Sequence, residues 1–371
     1  MLNKTLTQRR EESKDAKKKQ KAKLSVGEIA LARHYTYSLL GRLYAKGLTA
    51  ELLPYARELL GETHYALRPM NYDQNEAAAT HHALFRFNIF PYQSIFRDGS
   101  GLLGGVESER VRTAYLESGF ETAEPDHIAS ELRFLAFLCA AEAEARQDGL
   151  PDIAAKCQAR QATFLSDHLL TWLPPFVIAL ERSGQPFYAA LAILTLDFVA
   201  DHAANLDLTG WQSQIAQNLS GLSLPEPPTL LTNEKTGLKD IARYLITPPH
   251  SGLYLSREAI GDLARAHDLP RGFGGRQQML SNLLYTAVQY DSLPTVLTGL
   301  QAILDAWHND YAKINDKYTH LTPFLTPWQE RLTKTAVLRQ DIQTSLTEFV
   351  DKLRAKSDKT AGSKQKGNPG N

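Results

Sequence analysis

FNIFPYQSIFRDGSGLLGGVESERVRTAYLESGFETAEPDHIASELRFLAFLC, residues 87–139, is the stretch on which the reading of this chain turns. A Pro-aromatic loop, Phe90–Phe96, runs into a Gly104-Gly105 break and a polar helix expected over Gly105–Ser118, stopped by Gly119. A second loop then passes through Glu124-Pro125-Asp126-His127 into an apolar helix. Ile128, Leu132, Leu135 and Cys139 form one stripe of that helix, with Phe134, Phe137 and Leu138 beside it. So wide an apolar surface belongs to a central helix touching several neighbours.

Working outward, helical spacing recurs on both sides. Ser25–Lys46 carries Ile29, Ala32, Thr36, Leu39, Leu40 and Leu43 at helical intervals, with Ser25 as N-cap. Ala50–Leu60 follows, stopped by Gly61, and Asp73 with Glu76 marks a capped start for a helix to about Phe87. Beyond the central helix, Ile153–Leu170, Pro174–Arg182 and Pro186–Ala204 read as helices, the last apolar nearly all round. After the Pro-rich stretch LSLPEPPTLLT (222–232) come helices near Lys235–Ile246, Ser256–His267, Arg276–Tyr290, Leu293–Asn309 and Pro327–Arg354. No alternating strand pattern and no fixed-period repeat is found, so the expected class is all-α. The expected division is a basic tail at 1–24, a helical domain at 25–224, a helical extension at 225–351 and a second basic tail at 352–371. The tails lack the apolar residues that offset ordering entropy and are expected to be disordered.

The chain has 371 residues, 43% of them hydrophobic, which is enough for a substantial core. Its most apolar segment, Phe187–Ala200, carries Asp197 and falls short of a membrane span, so a soluble protein is expected. Arg9-Arg10 has no hydrophobic region behind it and does not read as an export signal. Cys139 and Cys157 read as free thiols of a reducing compartment. Net charge is zero, but the tails hold fifteen of the 41 Lys/Arg and only four of the 41 Asp/Glu. The body between them is therefore at about −11 by this count, which favours basic partners.

Chemistry-bearing motifs are few. Glu124-Pro125-Asp126-His127 reads as helix initiation, with Asp126 as the cap. A charged histidine opposes the helix dipole at such a position, whereas Glu131, one turn on, supports the imidazolium. The pair His127–Glu131 is therefore expected either to titrate or to switch hydrogen-bond partners near neutral pH. Phe90–Phe96 offers aromatic groups either to the core or to an apolar peptide groove. The Asp-His dipeptides at 126, 167 and 201 and the pair His81-His82 lack zinc-ligand spacing, so no metal is expected. No nucleophilic triad, phosphate loop or dinucleotide fingerprint is present, and no cofactor is expected.

Taken together, residues from about His34 to His202 resemble the TorD/DmsD/NarJ family of chaperones that mature molybdenum-containing redox enzymes. The likeness rests on Phe90-Pro91-Tyr92-Gln93-Ser94-Ile95-Phe96, on Leu103-Gly104, and on Val111, Tyr115 and Gly119. It continues through Glu124-Pro125-Asp126-His127 with Glu131-Leu132 and Phe134, then Phe164-Leu165, His168-Leu169 and Trp172. The resemblance implies a cytoplasmic, non-enzymatic chaperone, monomeric or dimeric. It would bind the twin-arginine signal peptide of an apo molybdopterin oxidoreductase until its cofactor is inserted. By the same resemblance Pro91, Tyr92, Ser94 and Phe96 would line the apolar part of the peptide site, with Glu124, Asp126, His127 and Glu131 at its hinge. The segment 225–351 has no place in that pattern. A helical adaptor acting through the extension, or a nucleotide-binding protein, are the alternatives from other classes.

Overall fold

A computed structural model describes residues 24–63, 72–206, 223–230 and 236–364. Among them the chain is all-α, with fifteen α-helices and no strand. The first half holds α1 (Val26–Lys46), α2 (Leu53–Thr63), α3 (Gln74–Ala83), α4 (Gln93–Arg97) and α5 (Gly105–Leu116). It continues with α6 (Ile128–Gln147), α7 (Pro151–Asp167), α8 (Leu173–Glu181) and α9 (Pro186–Asn205). The second half holds α10 (Leu238–Ile246), α11 (Pro248–Ser251), α12 (Arg257–Arg265), α13 (Arg276–Gln289), α14 (Leu293–Lys317) and α15 (Thr322–Lys364).

Local chemistry accounts for the starts. Ser25 and Glu28 form a reciprocal capping box on α1, a device whose loss costs about 1 kcal/mol. Asp73 accepts from Glu76 N on α3, and Ser256 accepts from Ala259 N on α12. Some expectations shift. α2 runs through Gly61, and α15 begins at Thr322 with Pro327 inside it and continues to Lys364. The expected tail at 352–371 thus lies on the backbone of α15 as far as Lys364; residues 365–371, and all of 1–24 except Leu24, fall outside the described residues. The buried face of α1 is also rotated from the expected one. It consists of Ala30, Arg33, Tyr37, Leu40, Gly41, Leu43 and Tyr44, because the two tyrosine hydroxyls find partners inside.

Those partners form a polar relay through four helices. Tyr37 Oη lies 2.8 Å from His202 Nδ1, and His202 Nε2 lies 3.0 Å from Gln161 Oε1. Gln161 Nε2 donates to Glu142 Oε2 at 2.9 Å, and Glu142 holds Arg146. An amide oxygen can only accept, so the proton of His202 is on Nε2 and its Nδ1 accepts from Tyr37. Burial lowers the His202 pKa to about 3, keeping the ring neutral.

The core is one cluster running from Tyr37 to Leu332 and spans both halves of the chain. Phe96 stacks on Tyr254 at 5.3 Å, and Trp328 Nε1 donates to Thr171 O at 3.0 Å. Arg182 pairs with Asp310, and Lys317 with Asp197, across the same seam. The buried Arg331 ties down the Pro-rich connector by donating to Leu224 O and Pro225 O. α9 has 20 residues and a mean hydropathy of 1.4, enough by length and composition to cross a membrane. Here 56% of that window is buried inside the protein. Cys139 is buried and Cys157 half-buried, both as free thiols.

Candidate functional site

The two loops of unusual composition meet. Tyr92 and His127 form an isolated antiparallel bridge, with Gln93 N donating to Asp126 O (2.8 Å) and Ile128 N to Pro91 O (2.9 Å). Residues 93–97, expected as loop, close into the short helix α4 at this junction.

Asp126 does not cap the helix that follows it. It is 3% exposed, and its carboxylate reaches back across the bridge. Oδ2 accepts from Ser94 N at 3.1 Å, in the first turn of α4, and Oδ1 accepts from Ser108 Oγ of α5 at 2.8 Å. One side chain therefore joins α4 and α5 to the start of α6. The cap of α6 is His127, whose Nδ1 accepts from Ala129 N at 3.1 Å. That bond requires an unprotonated Nδ1, and burial lowers the His127 pKa to about 4 despite the nearby carboxylates of Glu124 and Asp126. The expected titration near neutral pH is thus corrected: the ring is neutral throughout that range.

Glu131 departs from expectation as well. It points into the core, where Trp172 Nε1 donates to its Oε2 at 3.2 Å. Burial raises its pKa well above the usual carboxylate range, although the Trp172 bond pulls the other way. Ser94 is buried and accepts from Gly104 N at 3.0 Å, which fixes the Gly-rich loop. Phe96 is fully buried among Trp172, Phe176 and Tyr254. Pro91 is buried too, its carbonyl used in the bridge.

Three of the eight expected residues form the outward surface. Tyr92 is half-buried and donates from its hydroxyl to Glu124 Oε1 at 2.8 Å; its ring meets the His127 ring edge-on at 4.8 Å. Glu124 itself is exposed. The exposed Arg86 on the turn after α3 acts on both Tyr92 and His127 by its charge. The sequence reading passed over Arg86, because nothing in its surroundings marks it before α3 is folded against the bridge. It also passed over Ser108, which sits in an ordinary polar helix. Among the described residues no group of His, Cys, Asp and Glu could hold a metal ion.

The junction lies wholly within residues 47–177, which match the family described as nitrate reductase delta subunit. The chain is 32% identical over 197 residues to the chaperone protein TorD of Vibrio cholerae, covering 49% of this chain and 85% of that protein. It is 38% identical over 82 residues to the chlorate reductase assembly chaperone protein of Ideonella dechloratans, 22% of this chain and 41% of that one. With the selenate reductase assembly chaperone protein of Thauera selenatis it shares 41% over 63 residues, 17% of this chain and 32% of that one. No solved structure is significantly similar to it. An all-α chain with this junction, so matched, belongs to the TorD/NarJ family of molybdoenzyme-maturation chaperones.

Proposed function

We propose that this protein is a cytoplasmic, non-catalytic chaperone that binds the twin-arginine signal segment of an apo molybdopterin oxidoreductase and holds it until the enzyme has matured. The observation that carries the reading is the coincidence of the bridged junction with the family-matched residues 47–177. The bridge presents Tyr92, Glu124 and His127 on one surface. Pro91, Ser94, Phe96, Asp126 and Glu131 act behind it by fixing its shape. Glu124 is the carboxylate on that surface that a guanidinium can reach, and its capacity to accept exceeds the single bond from Tyr92. A body at about −11 by sequence count would draw a basic segment toward it.

The experiment is a fluorescence titration of the purified protein with a twin-arginine peptide at several salt concentrations. Glu124→Gln is expected to weaken binding about tenfold at low salt, ~1.4 kcal/mol, and to flatten the salt dependence. Replacing the peptide's two arginines by alanine should have the same effect on the parent and none on the variant. Parent-like binding by Glu124→Gln would remove the junction from the peptide site.

A further inference from the structure

A sizeable cavity lies away from the junction. A groove of about 760 Å3 runs between the first half of α1 and the last turns of α6, and Gly149–Pro151 closes one end. Its walls are Val26, Leu31 and Tyr35 of α1, Ala140 and Ala143 of α6, and Leu150. These are outward positions, since α1 spends its other face on the core. Val26, Leu31, Tyr35 and Leu150 are nevertheless 52, 42, 64 and 45% exposed. Four large apolar groups around one cavity, floored by alanines, make a patch of the kind that marks an interaction surface. From Val26 to Tyr35 the wall is about 14 Å long at 1.5 Å per residue, the length of two to three helical turns.

The rim is acidic. Glu28 and Glu144 line the groove, and Asp148 and Asp152 flank its closed end in the chain. Arg146, which also lines the groove, is held by the buried Glu142, with Nη2 to Oε1 at 2.8 Å. A second copy of the chain would bring the same acidic rim against this one, and like charges oppose that pairing. Residues 1–23 join the groove at Leu24 and carry nine Lys/Arg. However, their large apolar side chains, Met1, Leu2 and Leu6, precede Leu24 by 18 residues or more, and residues 7–23 contain none.

We propose that this groove docks a basic amphipathic helix of another polypeptide, with leucine- or phenylalanine-type side chains in the groove and arginine or lysine at the rim. It is a second polypeptide-binding surface, separate from Tyr92, Glu124 and His127. The probe is a fluorescent synthetic 18-residue helix with leucines on one face and arginines on the other, titrated into the full-length protein. Leu31→Ser with Leu150→Ser is expected to weaken binding at least tenfold at unchanged Tm, because both side chains are exposed. Glu144→Gln with Asp148→Asn should weaken it and reduce its salt dependence. Tyr92→Ala should leave it as in the parent. Unchanged binding by the Leu31/Leu150 variant, or equally tight binding of a glutamate-faced peptide, would overturn the proposal. A benzoylphenylalanine photo-crosslinker placed at Tyr35 reads the occupant directly. Capture of the probe supports the proposal; capture of residues 1–23 or of a second copy, with the probe present, overturns it.

Discussion

Asp126 separates two accounts of the junction, because its carboxylate is either spent on the fold or available to a ligand. The structure spends it, on Ser94 N and Ser108 Oγ, in a site only 3% exposed. Asp126→Ala leaves a buried N–H and a buried hydroxyl without that acceptor. Hydrogen bonds to a charged group contribute about 1.5–3 kcal/mol each. Relief of the carboxylate's own desolvation offsets part of the loss, so about 3 kcal/mol is expected. With 371 residues and about 2.1 cal/mol/K of unfolding entropy per residue, that amounts to a Tm lower by about 4 °C. Asp126→Asn can keep both contacts, accepting from Ser94 N through its amide oxygen and donating to Ser108 through its NH2. It loses only the charge assistance, about 1 kcal/mol, or 1–2 °C.

The assay pairs thermal melting with twin-arginine peptide binding on the same samples. Both variants should melt lower in the order stated, and Asp126→Asn should bind peptide as the parent does. An Asp126→Asn protein that melts like the parent yet binds tenfold more weakly would show the carboxylate contacting the ligand, and the reasoning here would fail.

Two further outcomes follow from the burial of charge, and a third from packing between the two halves. Burial raises the Glu131 pKa, so the parent has its full stability below the ordinary carboxylate pKa of 4.5 and loses it as pH rises above that, by up to about 1.4 kcal/mol per unit. Glu131→Gln removes that loss, and its Tm relative to the parent should climb between pH 5 and 8; a variant less stable by a constant amount would contradict this. His127, His168 and His202 have pKa values lowered by burial to about 4, 3 and 3 from 6.5, so their contribution is complete above pH 6.5 and is lost as pH falls toward those values. Melting curves from pH 7 to 4.5 should show that fall, and a flat Tm would mean the rings are charged in the fold. Finally, Trp328→Ala empties a site shared by both halves and should cost about 3–5 kcal/mol, lowering a single transition of the full chain by about 4–6 °C. Two separated transitions in the parent would show the halves folding independently, and residues 25–224 alone are expected to melt lower than the whole.

The helices were legible because their signals are local: Ser25 with Glu28, Asp73 before Glu76, Ser256 before Ala259. The two loops around residues 91–94 and 124–127 were legible as a site for the same reason, since they break helical periodicity. Their division of labour was not. Whether Asp126 caps its own helix or another depends on a hydrogen bond between residues 32 positions apart, which no periodicity reports. The three Asp-His dipeptides show the same limit. Tested for metal spacing, they prove to be three positions where an imidazole is kept neutral: half-buried as the cap of α6, and buried where it ends α7 against Phe164 and where it joins Tyr37 to Gln161. The face of α1 was misjudged because tyrosine and arginine count as outward residues until their polar ends find partners.

The second half of the chain bears on the junction through contact rather than chemistry. The alignment with TorD takes in 85% of that protein and 49% of this chain, so half of this chain lies outside it. Helices from the second half hold the segment that carries Tyr92. The Tyr254 hydroxyl donates to Asn88 O at 2.9 Å and accepts from Phe90 N, and its ring lies under the Arg276 guanidinium at 4.2 Å. Asn88 and Glu258 exchange two bonds, Nδ2 to Oε2 and backbone N to Oδ1. Gly99 comes so close to His250 that a Cβ there would sit 2.9 Å from its Nε2. Residues 88–99 are therefore pinned on one side by Asp126 and on the other by Tyr254, Glu258 and His250. A loop held from two sides forfeits its ordering entropy during folding, so under the proposed function Tyr92 would meet a ligand already in place, which is where preorganisation gains affinity. On this argument the second half supports the junction from behind. The part of the chain that no motif explains thus has a physical role: it fixes the shape of the part that the family motifs define.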